Sequence, residues 1–243
     1  MKAVVIIQAR MGSTRLPGKV LADLAGQPML RRVVERVRGA RTISALMIAT
    51  STSPADDAIE SFARQMGVPL FRGDEDDVLS RYAGAATASG AEMIVRVTAD
   101  CPLLDPALVD RVVDALRAAV PRAAFAATTI VRSFPRGLDV EAMWAADFRR
   151  LEQRARQPYH REHVFPYAYE HPQDFPHISI ADGEDRSWMR WTVDTPDDHA
   201  FVTRVLTHLS PTQTAWRQVV ALIERHPDWL ELNRHVVQKS LNA

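Results

Sequence analysis

Four times within the first 122 residues, a short aliphatic run gives way to a longer segment with helical periodicity. This rhythm constrains the fold more than any other feature of the chain. The runs cover residues 4–7, 45–49, 68–71 and 93–98, and their length and continuous apolar character suit strands buried on both faces. Pro28 can open a helix in which Met29, Leu30, Val33, Val34 and Val37 form an apolar stripe, with Gly39 as its stop. Further helices are predicted over 54–66, from the polar turn at 72–77 to about Ser89, and over 106–118. Strand–helix alternation of this kind implies right-handed crossovers and a mainly parallel, doubly wound sheet. The expected fold is therefore α/β: a three-layer α/β/α sandwich with a Rossmann-like, mainly parallel sheet.

Beyond residue 122 the rhythm changes. Strands are expected at 125–131, 177–181 and 188–193, and the turn at 135–141 leads into another. Helices are expected from 145 to about 156, from Asp194 to about His208, and near 214–225 and 227–237. With no repeat or linker, one domain over 1–243 is preferred, with 1–122 as nucleotide-binding core. Zero net charge, from 30 basic and 30 acidic residues, argues against a nucleic-acid binder that relies on broad electrostatic attraction. One cysteine excludes an intramolecular disulfide and a multi-cysteine metal cluster. Neither a secretory leader nor a bilayer-spanning stretch is apparent, so the expected setting is cytoplasmic, without membrane attachment.

The segment after the first strand is the richest in chemistry. Between Arg10 and Lys19 it holds two glycines (Gly12, Gly18), two hydroxyl residues (Ser13, Thr14) and three cations (Arg10, Arg15, Lys19). Glycine lets main-chain N–H groups approach a ligand, and such groups with cations beside them suit phosphate oxygens. The segment is neither a dinucleotide fingerprint nor a Walker loop, because G-x-G-x-x-G is absent and Val20 follows Lys19. A solvated surface loop is the alternative. In doubly wound sheets ligands sit beyond the carboxyl ends of the strands. The 10–19 loop, the 50–53 loop, Arg72-Gly73 and Asp100 all fall there. Arg72 and Arg81 could reach base, ribose or phosphate, or be solvated cations at a helix entry. Asp100 and Asp194 each close a strand. Two such carboxylates suit a Mg²⁺ ion bridging phosphates, although Asp194-Thr195-Pro196 taken alone reads better as a helix cap.

The order Q-A-R-M-G-S-T-R-L-P-G-K, at residues 8–19, resembles the nucleotide loop of cytidylyltransferases that activate sugars. The wording is closest to the spore coat polysaccharide biosynthesis protein F-like branch, related to acylneuraminate and 3-deoxy-manno-octulosonate cytidylyltransferases. T-A-D-C-P resembles the family's G-D-x-P motif, with Ala99 in place of glycine, and V-D-T-P-D-D resembles D-T-P-E-D. The resemblance implies a fold of the nucleotide-diphospho-sugar transferase type and transfer of CMP from CTP to an acidic or modified sugar. It implies Mg²⁺ held by Asp100 and Asp194, with Arg10, Lys19 and Asp100 as catalytic residues. Nucleotide contacts would come from Arg10, Met11, Gly12, Ser13, Arg15, Lys19, Arg72 and Asp100. Acceptor contacts would come from Asp139 and Glu141 of G-L-D-V-E and from Glu162, His163 and Tyr167 in the segment 162–169, whose H-x-x-x-Y-x-Y spacing, ending at Tyr169, resembles an acceptor segment. Residues 123–243 would then bind the acceptor and supply a homodimer surface. Two rivals remain open: a glycosyltransferase that consumes a sugar nucleotide, for which Asp74-Glu75-Asp76 spells D-x-D, and a non-catalytic nucleotide-binding module.

Overall fold

The computed structural model describes residues 1–238 except Pro211 and Thr214. The first half follows the expected alternation: β1 (Ala3–Gln8), α1 (Met29–Arg38), β2 (Ala45–Ser51), α2 (Asp57–Gln65), β3 (Leu70–Gly73), α3 (Val78–Ser89), β4 (Met93–Thr98) and α4 (Pro106–Ala118). β1 pairs in parallel with β2 and β4, and β2 pairs in parallel with β3. Side chains alternate across a strand, so Val5 and Ile7 enter one apolar cluster while Val4 and Ile6 enter the other. All four are completely buried. Each such side chain stabilises the fold by about 1.5–3 kcal/mol relative to exposure. This two-sided burial is why the strand reads as an unbroken apolar run.

The second half adds β5 (Phe125–Ala127), β6 (Glu141–Trp144), α5 (Ala145–Arg154), α6 (Pro158–His163), α7 (Pro166–Glu170), β7 (His177–Ser179), α8 (Pro196–His208) and α9 (Trp216–Arg225). The sheet order is β3-β2-β1-β4-β6-β5-β7, with β6 antiparallel to both neighbours. One sheet thus runs through both halves of the chain. α1, α2, α4, α8 and α9 cover one face, and α3, α5 and α7 cover the other. No helix among the described residues is long and apolar enough to cross a membrane.

Three expectations are corrected. The strand at 125–131 ends at Ala127, because Thr128 turns its hydroxyl onto the Leu138 carbonyl. Residues 188–193 form no strand, only a parallel bridge between Arg136 and Arg190. The last helix is a 3₁₀ segment, Pro227–Leu232. For the helix expected over 214–225, Thr214 lies outside the described residues and the helix begins at Trp216.

Gly137 brings the 132–140 hairpin against the 190–193 segment. Its φ is +105°, and a Cβ there would lie 2.6 Å from the Thr192 nitrogen and 2.8 Å from the Trp191 carbonyl carbon. Both are backbone atoms that cannot rotate away. Gly137→Ala is expected to cost about 3 kcal/mol, a fall in Tm of about 10 °C, read by thermal unfolding. An unchanged Tm would refute this close approach.

Candidate active site

Because β1 to β4 run parallel, their carboxyl ends share one edge, and the sequence-predicted loops meet there. The loop after β1 folds back on itself: the Ser13 and Gly18 amides both donate to the Met11 carbonyl, at 2.9 and 3.1 Å. Gly18 adopts the left-handed conformation, with φ of +70°, and turns the chain into a short 3₁₀ segment, Lys19–Leu21. A residue with a Cβ is disfavoured in that conformation.

This turn drives Lys19 inward, where only 8% of the residue remains exposed. Its ammonium donates to Asp100 Oδ2 at 3.0 Å, Asp194 Oδ1 at 2.7 Å and the Val193 carbonyl at 2.8 Å. Asp194 is further held by Arg15 at 3.0 Å and Arg190 at 2.7 Å. Asp100 accepts from the Thr98 hydroxyl at 2.6 Å. Burial alone would raise the Asp100 carboxyl, but Lys19 and Thr98 outweigh it and bring it down to about 2. Burial alone would likewise lower the Lys19 ammonium, whereas the two carboxylates raise it. The pair is therefore ionised throughout the neutral range. Burial and the Asp100 charge push the Cys101 thiol well up, which keeps it protonated and unsuited to nucleophilic attack.

Asp56, at the end of the 3₁₀ turn after β2, anchors the loop. It is 1% exposed, and its carboxylate accepts from the Met11 amide at 2.7 Å, the Thr50 hydroxyl at 2.8 Å, and the Ser51 amide and hydroxyl at 3.0 and 2.5 Å. The Met11 amide, expected to face a phosphate, is thus already engaged. Arg10 makes no hydrogen bond or ion pair among the described residues and remains available to a ligand. Ser13 and Gly12 lie in the loop, with the Gly12 α-carbon facing the Glu75 side chain.

Arg72 is engaged by the loop after β2 and the start of α2. Its guanidinium donates to the Ser51 and Ser53 carbonyls at 2.9 and 2.8 Å, to Asp57 at 2.7 Å and to Glu60 at 2.8 Å. Arg81 is completely buried, with one nitrogen on the Asp74 and Glu75 carbonyls and the Nε and Nη2 atoms without partners. Asp74 caps its own turn by accepting from the Asp76 and Asp77 amides.

Of the expected acceptor residues, Asp139 and Glu141 share one charged cluster around Arg132, and Asp139 acts on the Cys101 thiol beside Asp100. Asp139 forms a two-point ion pair with Arg132 at 2.9 and 3.2 Å. Glu141 is buried and accepts from Arg96 and from the Thr129 and Tyr169 hydroxyls. Tyr167 stacks on His171 at 4.0 Å between ring centroids and meets His160 edge-on. Glu162 is exposed and His163 half-buried. Sequence reasoning missed Asp56, Arg96 and Arg190, whereas Tyr169 belongs to the expected acceptor segment. The interruption of the apolar run Ile94-Val95-Arg96-Val97 by a cation was the one local signal for any of them.

Among the described residues no group of three His, Cys, Asp or Glu side chains could hold a metal ion. The donors that do converge are two carboxylates and one carbonyl around the Lys19 ammonium. This all-oxygen set fits a hard cation that completes its shell with water and phosphate.

Phosphate-binding loops and carboxylates occupy this edge in α/β proteins that handle nucleotides, and that is the class the fold and the site define. The family model described as cytidylyltransferase matches residues 4–234, and the chain belongs to that family. It is 32% identical over 238 residues to the spore coat polysaccharide biosynthesis protein SpsF of Bacillus subtilis, covering 92% of this chain and 94% of that one. A cytidylyltransferase from Leptospira borgpetersenii has the same architecture, with a TM-score of 0.92 and 31% identity over 98% of this chain and 100% of that one. The CTP complex of CMP-2-keto-3-deoxy-manno-octonic acid synthetase shares the fold at a TM-score of 0.65 and 19% identity, over 85% of this chain and 99% of that one.

Proposed function

We propose that this cytidylyltransferase moves CMP from CTP to a hydroxyl of an acidic or modified sugar, releasing pyrophosphate for surface glycan synthesis. The observation that carries this reading is the Lys19 ammonium set between Asp100 and Asp194, with Arg15 bound alongside and Arg10 free. In the proposed step the sugar oxygen bonds to the α-phosphorus, the bond to the bridging oxygen breaks, and pyrophosphate departs with that electron pair. The hydroxyl proton passes to water, because a carboxyl at about 2 is too weak a base to retain it. Arg10, Arg15 and Lys19 offset charge on the α-phosphate and the leaving group. Mg²⁺ would be held by Asp100 and Asp194. When bound, the ion neutralises phosphate charge and polarises the reacting phosphorus. A homodimer in the cytoplasm belongs to the same reading, which rests there on the family likeness.

The test is pyrophosphate release with each of the four nucleoside triphosphates across acidic and 6-deoxy sugars, with and without Mg²⁺. Release that requires CTP, Mg²⁺ and one sugar class is expected. Asp100→Asn and Asp194→Asn should abolish metal-dependent CTP binding measured by calorimetry. Unchanged binding in both variants would overturn the metal assignment.

A further inference from the structure

Arg190 also lines a cavity of about 310 Å³, together with Arg136, Trp188, Asn233, Arg234 and Gln238 among others. Its size falls at the lower end of small-molecule sites, ~300–1,000 Å³. Three guanidinium groups line it, and no carboxylate does, among the described residues. Two of the three cations are already neutralised. Arg190 pairs with Asp194 at 2.7 Å and Asp198 at 2.8 Å and donates to Gln238 at 2.6 Å. Arg234 pairs with Glu231 at the surface.

Arg136 differs. Its guanidinium makes no hydrogen bond or ion pair among the described residues. Burial lowers its pKa, and the neighbouring charges of Arg132 and Arg190 lower it further against the opposing pull of Asp139. Its backbone is fixed by two bonds across the bridge to Arg190: Arg136 donates to the Met189 carbonyl at 2.9 Å and accepts from the Trp191 amide at 2.7 Å. Beside it Trp188 is 63% exposed, an unusual position for so large an apolar surface. A pre-positioned guanidinium answers an oxyanion, and a flat indole next to it answers the apolar face of a sugar ring.

We propose that this cavity, separate from the triphosphate loop, receives an acidic sugar, its carboxylate or phosphate on Arg136 and its ring on Trp188. The inference rests on the nucleotidyl-transfer reading and names a place in the chain for the charged group of the acceptor. Arg190 joins the cavity floor to Asp194, so a ligand here sits one guanidinium away from the candidate metal carboxylates.

Calorimetry on the full chain without nucleotide, using glucuronate, glucose 6-phosphate, glucose and inorganic phosphate, tests the assignment. One or both acidic sugars should bind, and which one does identifies the oxyanion. Glucose and inorganic phosphate should bind at least tenfold more weakly than that sugar. Arg136→Gln should weaken the acidic sugar about ten- to a hundredfold, the scale of a lost hydrogen bond to a charged group. Trp188→Ala should weaken it as well. Equal binding of glucose, equal binding of inorganic phosphate, no binding of either acidic sugar, or unchanged binding by Arg136→Gln would overturn the proposal. CTP binding measured in parallel separates the two readings. Arg136→Gln keeps it, whereas wild-type protein that fails to bind CTP would refute the nucleotidyl-transfer reading itself.

Discussion

Lys19→Met is expected to slow nucleotidyl transfer about 10²–10³-fold, the scale of losing one preorganised donor to developing charge. It is also expected to destabilise the fold by about 3–5 kcal/mol at neutral pH, the usual result of removing one member of a buried ion pair. The second effect follows from the three oxygens that converge on one nitrogen. Without the ammonium, Asp194 keeps Arg15 and Arg190, whereas Asp100 keeps the Thr98 hydroxyl and the Cys101 thiol but no cation. Asp100 then faces a second carboxylate with no cation between them. The pH dependence gives an independent readout. The Asp100 pKa is depressed, from 3.8 to about 2, so its contribution is complete above the unfolded value and is lost as pH falls through the folded one. The shift corresponds to stability on the order of 2 kcal/mol. Wild-type protein should therefore lose that increment between about pH 4 and pH 2, whereas in the variant the acid limb should move to higher pH. Urea denaturation from pH 2 to pH 7 would show this. Superimposable pH profiles would mean that Lys19 does not control the ionisation of Asp100.

The parts of this molecule legible in the sequence are those whose cause is local. β1 announces itself because a strand buried on both faces must be apolar at every position, as Val4 to Ile7 are, whereas β3 at the sheet edge is only half-buried and carries Arg72. Arg15, Lys19 and Asp100 could be placed together because parallel strands present their carboxyl ends at one edge, whereas Asp194, which follows no strand, is placed only by the resemblance of V-D-T-P-D-D to a family motif. Strand direction is different, since an apolar run looks the same whichever way it points. The antiparallel insertion of β6 between β4 and β5 therefore left no mark. Residues 158–170 show no clear periodicity for a backbone reason. Val164, with φ of +75°, splits the segment into two short helices, and Tyr169, not Tyr167, reaches Glu141. Arg72 shows the limit for charged groups. An arginine at a strand end looks the same in sequence whether it awaits a ligand or, as here, spends its donors on Asp57, Glu60 and two carbonyls. Pairing across distant segments decides that question, and spacing carries no record of it.

Asp56→Ala is expected to cost about 4 kcal/mol and to weaken CTP binding at least tenfold, although Asp56 touches no part of the proposed reaction. The carboxylate satisfies four donors, three of them on the completely buried Thr50 and Ser51 and one on Met11 in the nucleotide loop. Each buried donor left without a partner costs about 1–3 kcal/mol, and the hydroxyls recover part of that by rotating while the amides cannot. Asp56→Asn separates anchoring from folding. The amide keeps one acceptor oxygen and turns an N–H₂ group towards donors, so it should retain more stability than alanine and still loosen the loop. Burial alone would raise the Asp56 carboxyl, but the four donors lower it. By the sign of that shift, its contribution is present at neutral pH and disappears as pH falls below the ordinary carboxylate range. Urea denaturation would read the stability, and CTP calorimetry on the folded Asn variant would read the loop. Wild-type affinity in that variant would show that the loop holds its shape without Asp56. Reduced affinity would place the rigidity of the phosphate loop in a carboxylate that never meets a phosphate.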